Sequence, residues 1–188
     1  MLKVGITGNI ASGKSEVENI LKNGGYKVIC ADRLSHDALS DEKIKALVMN
    51  LFGTLNRDEL GQIVFFDIEK RKKLEGIIHP FVINNINDFF ELNKNEDFVF
   101  ACVPLLFEAG LQKIFDKIVF IQSDDDLRLK RLIKRNGYKK DYAILRMKSQ
   151  MPQDEKIKLS DFIVSNNSDI RNLENEVNNV IKALKLLL

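Results

Sequence analysis

The sequence predicts an α/β protein, a five-stranded parallel sheet covered by helices and interrupted once by an inserted helical lobe. Three observations predict it. Short apolar runs rich in Val, Ile and Phe alternate with segments of helical periodicity, the pattern of parallel βαβ units. The first run passes directly into Gly8-Asn9-Ile10-Ala11-Ser12-Gly13-Lys14-Ser15, a G-x-x-x-x-G-K-[ST] loop that requires a strand before it and a helix after it. From Leu34 to Leu92 the alternation stops and only helical spacing remains.

Taken in order, Leu2–Thr7 is the first strand, a near-continuous apolar run suited to burial on both faces. The helix after the loop runs over Gly13–Asn23, with Val17, Ile20 and Leu21 on one face and Gly24-Gly25 as its stop. Lys27–Ala31 is the second strand. In the inserted stretch Ile44, Leu47, Val48 and Leu51, then Leu74, Ile77 and Ile78, recur at helical spacing. Pro80, with no N–H to donate, must kink or restart a helix there. Phe98–Val103 and Lys117–Gln122 are the third and fourth strands. Ser123 with Asp126 three residues on has the form of an acidic capping box, opening a helix to about Asn136. Phe162–Ser165 is a weaker fifth strand, and a long helix follows from about Asp169. The core is therefore assigned to about 1–33 and 97–188, and the lobe to about 34–96.

A chain of 188 residues with 45% apolar content is the length of one domain with a sizeable core. Its 30% charged residues nearly balance, at formal +2, so bulk charge advertises neither a nucleic-acid nor a membrane partner. No opening segment resembles a signal peptide, and no window approaches the roughly eighteen apolar residues of a membrane span. The expected location is the cytoplasm. Cys30 and Cys102 lie far apart in apolar runs and read as small buried hydrophobes in a reducing compartment. His36 and His79 are a poor basis for a metal site.

The loop carries the chemistry. Its glycines let the backbone wrap round phosphate oxygens with N–H groups pointing inward, and the following helix N-terminus adds a favourable dipole. Lys14 reaches the β- and γ-phosphates, and the Ser15 hydroxyl is a ligand for Mg²⁺. Asp32 follows the second strand, at the sheet end where open α/β sheets bind ligands. It suits either a base for an attacking hydroxyl or a helix N-cap, and position alone leaves both open. Arg128, Arg131 and Arg135 share one helical face, with Arg146 on the next segment. That stripe reads as a phosphate-clamping lid over about 128–150, or else as a solvated face.

These residues resemble the dephospho-coenzyme A kinase family over nearly the whole chain. Gly5–Ser15 is similar to that family's opening, and Val28-Ile29-Cys30-Ala31-Asp32 to its V-I-D-A-D segment. Ile78-His79-Pro80-Phe81-Val82 and Pro104-Leu105-Leu106-Phe107-Glu108 are more specific than the loop. Arg131-Leu132, Arg135, Arg146, Gln150 and Asp161 through Asn166 complete the pattern. The resemblance implies a nucleoside-monophosphate-kinase-like fold and ATP-dependent phosphorylation of the ribose 3′-hydroxyl of dephospho-CoA, the last step in making coenzyme A. It implies Lys14, Asp32 and Arg135 as catalytic residues, with the whole loop, Glu16, Arg135 and Asn166 binding ATP; it marks Arg135 for the transferring phosphoryl group and leaves Arg128 nearer a surface residue. Thr7, Asp32, His79, Pro80, Pro104 and Leu105 become acceptor-binding residues, and the protein a monomer or weak oligomer. Three positions depart from the pattern. Cys30 replaces the first Asp of D-A-D, Glu16 stands where Thr is usual, and Ser168 replaces a Gly, so the adenine loop is expected to differ in backbone shape.

Two other readings compete: another small-molecule P-loop kinase acting on a nucleotide or sugar-like alcohol, and a nucleotide-dependent switch. A GTPase switch should carry an N-K-x-D-like segment after a late strand, and Ser123-Asp124-Asp125-Asp126 does not fit. Ile10 stands where deviant ATPase switches place a second lysine.

Overall fold

Strand β1 (Leu2–Gly8) is buried from Val4 to its end and pairs in parallel on both sides, as its near-continuous apolar run leads one to expect. The computed structural model, which describes residues 1–188, builds a five-stranded sheet round it. With β2 (Lys27–Cys30), β3 (Phe98–Cys102), β4 (Lys117–Gln122) and β5 (Phe162–Ser165), the strand order is β2-β3-β1-β4-β5. Val4 stands opposite Phe100 on β3 and Lys117 on β4, and Phe120 opposite Ile163 on β5. The chain leaves β1 toward β2 on one side and leaves β4 toward β5 on the other. That divergence opens a crevice at the carboxyl ends of β1 and β4, where a ligand site is expected.

The helices in chain order are α1 (Lys14–Asn23), α2 (Ala31–Ala38), α3 (Glu42–Phe52), α4 (Arg57–Phe66) and α5 (Ile68–Leu92), then α6 (Asp125–Asn136), α7 (Lys140–Lys148), α8 (Gln153–Lys158) and α9 (Ile170–Lys185). The chain divides into two compact units, one of residues 1–29 and 93–188, the other of residues 30–92. In the first, α9 buries Leu173, Val177, Ile181 and Leu184, one per turn, and packs on β5 and α1. Each such side chain contributes about 1.5–3 kcal/mol on leaving water. The Asp169 carboxylate caps this helix by accepting from the Asn172 N–H.

The second unit is all helical. Ala38, Ile44, Val48 and Leu60 form its buried cluster, with Leu74, Ile77, Ile78 and Phe81 packed round it. Leu47 and Leu51, which share the same periodicity in the sequence, are instead about half exposed, at 52% and 51%.

Two local expectations are corrected. Of the two outcomes expected at Pro80, kink or restart, the restart does not occur, since α5 runs on past it. Ser123 does not form a capping box. The N-cap of α6 is Asp124, with no side-chain cap bond, and the Ser123 hydroxyl turns to the end of β5.

Candidate active site

The loop between β1 and α1 has little freedom to be anything else. A Cβ on Gly8 would stand 2.7 Å from the Ile121 carbonyl oxygen, which is main chain and cannot move aside. Gly13 holds φ +97°, and a Cβ there would lie 2.0 Å from the Asn166 amide nitrogen. Ala11 is the one non-glycine residue in left-handed geometry, at φ 61°, a strain of about 1 kcal/mol or more. Gly13 is also the N-cap of α1 and brings no side chain to its first turn, so the helix N-terminus keeps its dipole for an anion. The Lys14 ammonium folds back onto the loop, donating to the carbonyls of Gly8 at 2.6 Å and Asn9 at 3.1 Å. Ser15, at the mouth, is exposed.

The far side of the loop is fixed by the end of β5. Buried Asn166 donates its side-chain N–H to the Ser12 carbonyl at 2.8 Å. Its own carbonyl accepts from the Ser123 hydroxyl at 3.0 Å and from Arg131 Nη2 at 3.2 Å. Arg131 also donates to Ser123 Oγ at 3.1 Å. Arg131 is thus tied to the sheet end, on the edge of a cavity of about 740 Å³. Ala11, Ile170 and Leu173 give that cavity an apolar wall; Lys134 and Arg135 give it positive charge. Arg135 is exposed and donates from Nε to Asn136 Oδ1 at 2.9 Å. Glu16 and Ser168 line the same cavity. Ser168 keeps an ordinary negative φ, so its place in the loop does not demand glycine.

Arg128 is not a surface residue. It is 2% exposed, lines a second cavity of about 630 Å³ with Asn9 and Gln150, and lies 3.5 Å from the Asp125 carboxylate. Burial lowers its pKa, and Asp125 partly offsets that by favouring the cation. The three arginines of α6 therefore have three fates: Arg128 buried, Arg131 bonded to the sheet end, Arg135 exposed at the cavity.

Thr7 and Pro104 meet: the buried Thr7 hydroxyl donates to the Pro104 carbonyl at 3.2 Å. Leu105, next in the chain, is 43% exposed. Asp32, His79 and Pro80 belong to the helical unit. Asp32 is exposed in the first turn of α2, and since Cys30 holds the cap position, Asp32 is not the N-cap. Cys102 is buried and Cys30 half-buried, and no group of three His, Cys, Asp or Glu side chains is placed to hold a metal. No helix is long and apolar enough to cross a membrane.

Sequence reasoning missed the contacts that hold the leading edge of the loop. Ile10 N–H donates to Gln150 Oε1 at 2.7 Å, and Asn9 Nδ2 to the Met151 carbonyl at 2.9 Å. It also missed Lys156, fully buried and paired with Glu108 at 2.7 Å. A lysine inside Asp154-Glu155-Lys156-Ile157-Lys158 gives no signal of burial.

A family model described as dephospho-CoA kinase matches residues 2–172. A dephospho-CoA kinase of Fusobacterium nucleatum is 37% identical over 182 residues, 93% of this chain and 94% of that protein. Among solved structures, a Thermus thermophilus protein superposes with a TM-score of 0.83 at 32% identity, covering 97% of both chains. A dephospho-CoA kinase from Campylobacter jejuni has a TM-score of 0.70 at 29% identity, covering 97% of this chain and 96% of that one.

Proposed function

The chain belongs to the dephospho-CoA kinase family, and on that premise we propose that it transfers the terminal phosphoryl group of ATP to the ribose 3′-hydroxyl of dephospho-CoA, the last step in making coenzyme A. The observation that carries the reading is a family match over 2–172 in a chain whose phosphate loop sits at the carboxyl end of β1.

In this reading the triphosphate lies along the loop from Gly8 to Ser15, and Lys14 exchanges its contacts with the Gly8 and Asn9 carbonyls for phosphate oxygens. The cavity with the apolar wall receives the nucleoside beside Asn166. Glu16 suits a hydroxyl or amine of the nucleoside better than a phosphate, which its charge would repel. The acceptor oxygen attacks the γ-phosphorus in line. The bond to the β,γ-bridging oxygen breaks, ADP leaves with that electron pair, and the hydroxyl proton passes to the Asp32 carboxylate. An exposed carboxylate that is not capping its helix supports that role for Asp32. Arg135 supplies charge at the migrating group, for which its exposed guanidinium on the cavity edge fits. Mg²⁺ arriving with ATP would be held by the exposed Ser15 hydroxyl and the phosphates, neutralising charge on the leaving group. With one protein hydroxyl and no carboxylate cluster, the donor set fits a metal carried by its nucleotide rather than a resident ion.

The acceptor is assigned to Thr7, Pro104 and Leu105 in the sheet unit and to Asp32, His79 and Pro80 in the helical unit, which is read as the acceptor lobe. The lid is assigned to about 128–150, with buried Arg128 and Leu132 as its anchored end at the start of α6. The protein is read as a cytoplasmic monomer or weak oligomer acting on small molecules, with no nucleic-acid or membrane partner. The test offers the purified chain ATP and Mg²⁺ with dephospho-CoA, AMP, pantetheine or shikimate, and identifies the product by mass spectrometry. Coenzyme A is the expected product; phosphorylation of another acceptor with dephospho-CoA untouched would overturn the reading.

A further inference from the structure

The connection from α7 to α8, residues 149–152, has no regular structure of its own, yet the chain is tied down at every residue from Gln150 to Gln153 except Pro152. Gln150 Oε1 accepts from Ile10 N–H at 2.7 Å. The Met151 carbonyl accepts from Asn9 Nδ2 at 2.9 Å, and Met151 N–H donates to Glu108 Oε1 at 3.1 Å. Gln153 Nε2 donates to the Ser123 carbonyl at 3.0 Å, closing the strap onto the end of β4. Behind it, Glu108 is held by Lys156, which has no solvent exposure at all.

We propose that residues 150–153 are a positioning strap for the phosphate loop, with Gln150 as its positioning residue, so that nucleotide binding and the order of this segment are coupled. The physical reason lies in the loop. Ala11 holds a left-handed backbone that its side chain disfavours, and it persists only if the residues beside it are over-determined. Asn166 does this from behind, at Ser12; Gln150 and Met151 do it from the front, at Ile10 and Asn9. Gln150 also takes up the Ile10 N–H, and the Ser12 N–H turns back to the Asn9 carbonyl, so the front of the loop is bonded on both sides of Ala11. Because the strap begins where α7 ends, the carboxyl-terminal foot of the lid and the loop are one mechanical unit. Coupling of this kind is reciprocal: whatever the strap contributes to ADP binding, ADP contributes to ordering the strap.

The inference rests on the loop being the nucleotide site, and its test separates the two. ADP with Mg²⁺ is titrated calorimetrically into the unmodified chain and into Gln150→Met, which keeps length and removes the acceptor. The expected result is a five- to tenfold weaker ADP affinity, the scale of one lost hydrogen bond, with KM for dephospho-CoA unchanged. ADP affinity within twofold of the parent, whatever happens to the melting temperature, would overturn the proposal. Should the variant not fold, hydrogen exchange on the unmodified chain decides: ADP must slow exchange at 149–153 as well as in the loop, and protection of the loop alone overturns the strap. Absence of any ADP binding to the unmodified chain would instead sink the assignment of the nucleotide site.

Discussion

Asn166 and Ser12 are 154 residues apart in sequence, yet the Asn166 side chain donates to the Ser12 carbonyl at 2.8 Å and blocks any side chain at Gly13. The last strand of the sheet thus shapes the loop that follows the first. Asn166→Asp keeps size and the acceptor for Arg131 but loses the donor, and sets a carboxylate against a carbonyl in a buried place. We expect a stability loss of about 1–3 kcal/mol and an ATP KM raised roughly tenfold. Thermal unfolding and steady-state kinetics on one preparation check both, and an unchanged KM would show that the loop holds its shape alone.

Lys14→Ala should abolish turnover with any acceptor, since the γ-phosphate loses its fixed cation as charge redistributes. The stability cost should be modest, about 1–3 kcal/mol, the scale of losing the charged hydrogen bonds from Lys14 to the Gly8 and Asn9 carbonyls. Turnover within tenfold of the parent would refute the role of Lys14.

Asp32→Asn removes the base and keeps the shape. A fall in kcat of about a hundredfold or more, with ATP affinity little changed, is the expected outcome. Asp32 is in the first helical turn rather than at the cap, so the stability cost should be only the few tenths of a kcal/mol typical of a charge near a helix dipole. Near-normal kcat in this variant would remove Asp32 from the chemistry.

Arg135→Lys keeps charge but loses the planar fork, so kcat should fall roughly ten- to a thousandfold. Arg128→Lys should do the opposite, lowering stability by about 1–3 kcal/mol while kcat stays within about threefold, because Arg128 is 2% exposed. Comparing kcat with the melting temperature for the pair distinguishes a phosphate contact from a buried support.

The Glu108–Lys156 pair should respond asymmetrically. Glu108→Gln leaves a fully buried ammonium without its counter-charge and should cost on the order of 3 kcal/mol, somewhat less for the water that reaches Glu108. Lys156→Met fills the same space with an apolar chain and leaves a carboxylate that water partly reaches, so its loss should be smaller, about 1 kcal/mol. Denaturant unfolding of both variants reads the difference; equal losses would mean the pair is not an electrostatic unit.

The sequence by itself determined the sheet, the loop and the family. Parallel strands buried on both faces must be apolar along their whole length, so Leu2–Thr7, Phe98–Val103 and Lys117–Gln122 announced themselves. Gly8, Gly13, Lys14 and Ser15 are legible because the loop's backbone and chemistry restrict each position to one or two residue types. Only the tertiary structure decided what the polar residues do. Arg128, Arg131 and Arg135 look alike at helical spacing, but the first is buried, the second bonds the end of β5, and the third remains at the cavity. Ser123 has the form of a cap, and Asn166 outcompetes the helix for its hydroxyl. Gln150, Glu108 and Lys156 act across 140, 43 and 48 residues of chain respectively, counting Gln150 to Ile10, Glu108 to Met151 and Lys156 to Glu108. A hydrophobic period reports which face is dry. A polar side chain's partner is set by what the fold brings within about 3 Å, and no local pattern encodes that distance.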